Sequence, residues 1–185
     1  MTVIAAIGGA LAYTLVARIE NASRGAAQID RAVCVFLNSD DGVSGNVILV
    51  RVGRGRTAFE CSVSGLTPGL HGFHVHEAGD LREGCTSACS HYDPTGHAHG
   101  GPSGHRRHRG DLGNLDANAF GVCEQRIEAE VDLDEIVGRM LVIHADPDDL
   151  GEGAHTDSAQ TGHSGRRIAC GVIGRVAVKT PKTAA

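Results

Sequence analysis

Tryptophan is absent from this chain, and aromatic residues of every kind make up only 3% of it. Surfaces that grip nucleic acid by base stacking use aromatic platforms, so that class of function has little support. Charge argues the same way. Lysine and arginine total 17 against 22 acidic residues, a net charge of −5, whereas a phosphate-binding face needs a basic excess. No nucleic-acid partner is expected. Six cysteines occur, at positions 34, 61, 85, 89, 123 and 170, but none forms a C-x-x-C pair and their spacing is not that of a small disulfide scaffold. Cys34 and Cys61 fall in apolar or alternating stretches and read as buried small hydrophobes.

A membrane-spanning run is also missing. The longest apolar stretch, Val3 to Ala17, covers about 15 residues where a span needs about 20. No basic residue precedes it, while Arg18 and Arg24 follow, a charge order that opposes export. Residues 1–31 therefore read as an N-terminal extension, with a cytosolic location slightly favoured. A secretion signal or membrane anchor through residues 1–27 is the alternative. Beyond residue 31 no helical periodicity extends past two turns.

Glycine, with 26 residues, is plentiful, and its clusters punctuate short β-type runs. Ala32–Leu37, Val43–Val52, Thr57–Val63, Gly72–His76, Gly121–Val131, Arg139–Ile143 and Cys170–Val178 have the composition or alternation of strands. Strands at such intervals predict an all-β sandwich or barrel over residues 32–178, with a short tail at 179–185. Two stretches, 77–113 and 145–167, are long for loops, and long loops in a small domain tend to carry function.

Histidine is the excess. Eight of the eleven lie between His71 and Gly113. In a strand, residues two apart share a face, so His74 and His76 project side by side. His144 ends another apolar strand and can close a third side. The first long loop adds His91, His99, His108 and Asp111. Three imidazoles and a carboxylate suit a closed tetrahedral zinc site, and four imidazoles (His74, His76, His91, His144) suit copper.

The segments Gly72-Phe73-His74-Val75-His76-Glu77, Gly84-Cys85-Thr86-Ser87-Ala88, Gly110-Asp111-Leu112-Gly113-Asn114 and Ala169-Cys170-Gly171-Val172-Ile173-Gly174 resemble the signature segments of the Cu/Zn superoxide dismutase family. Their order is preserved from about Ala32 to Val178. The resemblance implies an eight-stranded Greek-key β-barrel or sandwich with two long functional loops, holding one copper and one zinc per subunit. His74, His76 and His144 resemble the ligands of copper alone, and His99, His108 and Asp111 those of zinc alone. His91 resembles the histidine that bridges both metals and serves in proton transfer. Asp148 matches the carboxylate linking a copper histidine to a zinc histidine, and Arg167 the catalytic arginine that docks the anion. Cys85 and Cys170 resemble the intrasubunit disulfide. Superoxide is the implied substrate, and a homodimer through Ile136–Arg139 and Gly171–Gly174, loaded by a copper chaperone, the implied assembly.

The chain departs from the family at its approaches. Cys89-Ser90 stands where Gly-Pro is usual. Cys89 is expected to remain a free thiol, with competition for Cys170 as the alternative. Asp146 and Gln160 occupy positions where family members commonly carry guiding lysines, and Arg106, Arg107, Arg109 and Arg166 are candidates to replace that field. His97, His105, His155 and His163 are expected on the loop surface, and His71 in a structural role. A copper chaperone or non-catalytic metal-binding domain on the same fold is the competing function. A chaperone is expected to present paired thiols for copper(I), a feature this chain lacks.

Overall fold

The computed structural model describes residues 28–37 and 39–176. Most of the expected N-terminal extension and the expected C-terminal tail lie outside the described residues. Among the described residues, nine antiparallel strands form two sheets. They are β1 (Arg31–Phe36), β2 (Ser44–Gly53), β3 (Arg56–Ser64), β4 (Gly69–His76), β5 (Asp111–Ala117), β6 (Val122–Ala129), β7 (Met140–His144), β8 (Arg167–Val172) and β9 (Gly174–Arg175). One sheet runs β6-β3-β2-β1-β9 and the other β5-β4-β7-β8. After the β1-β2-β3 meander the chain crosses to the second sheet for β4 and β5, returns for β6, and crosses again for β7 and β8. The β3–β6 and β4–β7 pairings that result give the expected Greek-key sandwich. The last strand accounts for the ninth: at Ile173 it leaves one sheet and adds two residues to the other beside β1. The helices described, α1 (Leu133–Ile136) and α2 (Ser158–Thr161), have four residues each. None of the described helices is long and apolar enough to cross a membrane.

Alternation decides which side chains enter the core. In β1, Ala32, Cys34 and Phe36 are buried while Arg31 and Val35 are exposed. Val47 and Leu49 of β2, Phe59 and Val63 of β3, Phe73 and Val75 of β4, and Leu141 and Ile143 of β7 fill the space between the sheets. Phe59 and Phe73 meet edge to face across it, with ring centroids 6.4 Å apart; truncating either to alanine would cost about 3–5 kcal/mol. The seam between β1 and β8 closes because Gly171 has no side chain: a Cβ there would stand 2.5 Å from the carbonyl oxygen of Val35 and 2.7 Å from Cys34 Sγ. Ile29 also packs into the core, and its N–H donates to Asp134 at 3.0 Å. The described fold thus extends ahead of β1 at least to Ile29.

Two elements differ from the sequence reading. The stretch read as loop to Gly113 ends in β5, and β8 starts at Arg167 rather than Cys170. Both strands open on a polar residue of the site. Strands β4 and β7 are buried on both faces: Phe73, Val75, Leu141 and Ile143 face the core, while His74, His76 and His144 face outward under the loops.

Cys34, Cys61 and Cys123 are buried free thiols and Cys89 is an exposed one. Burial pushes Cys34 and Cys61 up to about 12 and raises Cys123 as well. Thiolate is the reactive form, so at pH 8 the native, non-reduced protein is expected to consume one equivalent of a thiol reagent, at Cys89. After unfolding it should consume four. Native labelling of a second cysteine would contradict this burial.

Candidate metal centre

The donors lie on the outer face of the second sheet. His74 and His76 come from β4, and His144 from the end of β7, where His74 pairs with Val142 and His76 with Met140. The loop between β4 and β5 folds back so that His91 forms an isolated bridge to His76, bringing its ring centroid to 4.0 Å from that of His74. His91, His99, His108 and Asp111 gather on the loop side. Within each of the groups His74-His76-His91-His144 and His91-His99-His108-Asp111, one ligand atom from each residue lies within 4.8 Å of the others. His91 belongs to both.

Hydrogen bonds decide which nitrogen of each ring is left to bind. Nδ1 of His76 donates to the carbonyl oxygen of Cys89 at 2.9 Å, and Nδ1 of His144 to that of Gly165 at 3.1 Å. Carbonyls only accept, so Nε2 carries the lone pair in both rings. These two Nε2 atoms face each other at 3.4 Å, a repulsive arrangement without a cation between them. His74 is turned the other way. Its Nε2 donates to Asp148 Oδ2 at 2.9 Å, and Nε2 of His99 donates to Asp148 Oδ1 at 2.8 Å. Nδ1 of His74 and Nδ1 of His99 are then buried with no hydrogen-bond partner. Buried polar atoms are rarely left so, and both point into the donor groups.

On the loop side, Nδ1 of His91, His99 and His108 lie 2.9, 3.0 and 3.2 Å from one oxygen, Asp111 Oδ1. The edge of a tetrahedron around zinc, with bonds of 2.0–2.1 Å, is about 3.3 Å. Nδ1 of His99 sits off the hydrogen-bonding direction toward Asp111 despite the short distance, as expected of two donors aimed at a shared point. Asp111 Oδ2 accepts from the N–H groups of Gly100 and His108 at 3.1 and 3.0 Å. The donor set fits a closed zinc site on this side and an imidazole-only copper site on the other.

Electrostatics favours the ligand forms of four of the imidazoles. Burial holds His74, His76 and His91 below the ordinary imidazole value and His144 down to about 4, so all four are neutral at pH 7. Burial opposes the charge on Asp148 too, but hydrogen bonds from His74 and His99 keep it at about 2. His99 is likewise disfavoured as a cation by burial, yet Asp111 and Asp148 on either side lift it to about 9. A metal ion at its Nδ1 would take the place of that proton.

The other expected residues fall around this core. Cys85 and Cys170 form the disulfide across 85 positions, a loop for which chain entropy gives about 4–5 kcal/mol. Arg167 donates through Nη1 to the carbonyl oxygens of Cys85 and Thr86 at 2.6 and 3.1 Å, and through Nη2 to that of Cys89. His71 Nδ1 donates to the carbonyl oxygen of His144 at 2.8 Å, the structural role expected of it. Arg166 is taken up by Asp41, at 2.7 and 2.5 Å, and Arg107 is buried. Of the four arginines, Arg166 is thus paired with a carboxylate, while Arg106 and Arg109 remain exposed.

Sequence reasoning missed two supports. Asn114 clamps Asp148 reciprocally, its Nδ2 donating to the Asp148 carbonyl at 2.9 Å and its Oδ1 accepting from the Asp148 N–H at 2.7 Å. Gly162, at φ +64°, lets the second loop close on Asp148: a Cβ would collide with Asp148 Oδ1 and stand 2.5 Å from His99 Nε2. The Asn114 signal lay in the quoted Gly110–Asn114 segment.

Residues 43–173 match the family model described as copper/zinc superoxide dismutase. The chain belongs to the copper/zinc superoxide dismutase family. A crystal structure described as that of the clock protein EA4 is similar, at 38% identity and a TM-score of 0.78, covering 82% of this chain and 98% of that one. The fold and the histidine-rich metal-binding cluster are therefore those of this dismutase family.

Asp148→Asn places an amide N–H against one of two ring N–H groups, so it is expected to weaken zinc and copper binding about 10–100-fold, measured by competition with a chelator. Gly162→Ala should weaken both in the same direction although it removes no hydrogen-bonding group. Unchanged affinity in both variants would contradict the role given to Asp148.

Proposed function

We propose that this chain is an active superoxide dismutase, in which two superoxide anions and two protons give dioxygen and hydrogen peroxide, one superoxide being oxidised and the other reduced. The observation that carries the proposal is the pair of donor groups sharing His91, with lone pairs held toward both by hydrogen bonds on the far nitrogens. We assign copper to His74, His76, His91 and His144, and zinc to His91, His99, His108 and Asp111. Bound there, copper would supply the one-electron couple and zinc a fixed positive charge.

The chain's own residues do the rest. Arg167 binds and orients the anion; its guanidinium is permanently charged and forked, and the carbonyls of Cys85, Thr86 and Cys89 fix its direction. His91 moves a proton: Nδ1 stays on the Asp111 side, so Nε2 is the atom that takes up a proton and returns it to the departing peroxide. Asp148 keeps His74 and His99 in the tautomer that leaves Nδ1 unprotonated. The disulfide ties the loop carrying these carbonyls to β8. A homodimer is part of the proposal. Gly138 N–H donates to the Ile173 carbonyl and Ile173 N–H to the Arg139 carbonyl, both at 2.9 Å, so the two segments assigned to the contact form one surface. Copper is proposed to arrive from a chaperone.

Purified protein loaded with both metals is expected to consume superoxide. His144→Ala should lose copper and activity together. Arg167→Gln should keep both metals and lose at least about tenfold in rate, the scale of one charge-assisted contact. Full metal uptake with no superoxide consumption would favour a non-catalytic metal-binding role on this fold.

The approach of substrate has its own test. Asp41 pairs with Arg166 beside Arg167 and so masks one cation on the approach. Asp41→Asn frees a cation and is expected to raise the rate at low ionic strength, with the two proteins converging near 1 M salt, where the Debye length is about 3 Å. Identical rates at low salt would refute the masking.

A further inference from the structure

The run Arg106-Arg107-His108-Arg109 stands apart from the rest of the chain in charge, and apart from its histidine it has no part in the proposed reaction. Arg106 and Arg109 are exposed, whereas Arg107 is only 5% exposed. Among the described residues its guanidinium makes two hydrogen bonds, from Nη1 to the carbonyl oxygens of His108 at 2.7 Å and Arg109 at 3.4 Å. It has no carboxylate within the 4.0 Å of an ion pair. A buried charge without a counter-ion is costly, and native proteins pair it. Asp111 and, more weakly, Glu130 add favourable fields without touching the guanidinium, and Arg109 adds an unfavourable one.

Arg107 lines a cavity of about 30 Å³ together with His97, Gly104, His105, Arg109 and Glu130. Gly104, His105 and Glu130 also line a cleft of about 280 Å³, so the cavity adjoins a route to solvent. That volume is enough for a small, water-sized species. Arg109, whose Nη1 donates to the Glu130 carbonyl oxygen at 3.1 Å, brings a second guanidinium to the same wall.

We propose that this cavity binds one small monovalent anion of chloride size, held by Arg107 and Arg109 with His97 and His105 at its rim. The anion supplies a counter-charge in contact, where Asp111 and Glu130 act on Arg107 only from a distance. Because the same guanidinium bonds to the carbonyl of His108, an occupied cavity braces the backbone at one end of the histidine cluster. The site shares no residue with the surroundings of Arg167 and does not rest on the proposed activity.

Chloride is titrated into the metal-loaded protein at fixed ionic strength, balanced with gluconate, and followed by chlorine-35 line broadening. Saturable broadening is expected. Arg109→Gln should weaken it about tenfold, the scale of one charge-assisted hydrogen bond. Arg107→Gln should abolish it, and Arg109→Gln keeps the test open if that variant does not fold. Glu130→Gln should tighten binding, since it removes the one negative charge lining the cavity. Arg167→Gln should leave the broadening in place. The proposal fails if the wild type shows no saturable component, if Arg109→Gln changes nothing, or if Glu130→Gln weakens binding. It fails too if Arg167→Gln removes the signal, because the anion would then sit at the proposed active site.

Discussion

One carboxylate, that of Asp148, holds the two halves of the histidine cluster in a common frame. It accepts from His74 on a strand and from His99 on a loop, and each bond fixes which ring nitrogen is left bare. A buried carboxylate survives only if its lone pairs are used. Here they are, by two imidazoles, with the N–H of Leu150 adding a bond at 2.7 Å. Asn114 on β5 then fixes the backbone at Asp148, so a strand, a loop and a second loop meet at a single side chain. Loss of any one of these contacts frees a ring to rotate.

The sandwich beneath does little chemistry but sets the spacing. Two strands buried on both faces give each histidine a rigid base, since the alternate residues Phe73, Val75, Leu141 and Ile143 are locked in the core. A small second cluster of Ala88, Met140 and Val142, with Cys170 and Val172 against it, packs the disulfide loop onto the outer face. Rigid elements carry the strand ligands, and the loops complete the set.

Much of this was legible in the residues. The i, i+2 spacing of His74 and His76 and the apolar run ending in His144 show the strand histidines of the cluster, because side-chain alternation is a local property. The order of the signature segments shows the rest of the set. Two things were hidden. Strand β5 carries Asp111, Asn114 and Asp116, polar residues that erase the alternation, because two of them serve the site rather than the core. The start of β8 was masked in the same way by Arg167. The masking of Arg166 by Asp41 was also out of reach, since 125 positions separate the pair and nothing local links them. Main-chain partners leave the faintest trace: the carbonyl oxygens of Cys89 and Gly165 orient two histidines whatever side chains those residues bear.

The carbonyl of Cys89 has two clients. It accepts from Nδ1 of His76 and from Nη2 of Arg167, so one peptide plane sets both a ring tautomer and the heading of a guanidinium. The two groups are not separately adjustable. A shift of that plane that improves one bond must loosen or bend the other, and substitutions acting through it would be non-additive in a double-mutant cycle. The carbonyl's duty asks nothing of the side chain at 89, but the backbone there sits at φ +64°, a conformation that favours glycine, so the cysteine is held in place at a cost in strain.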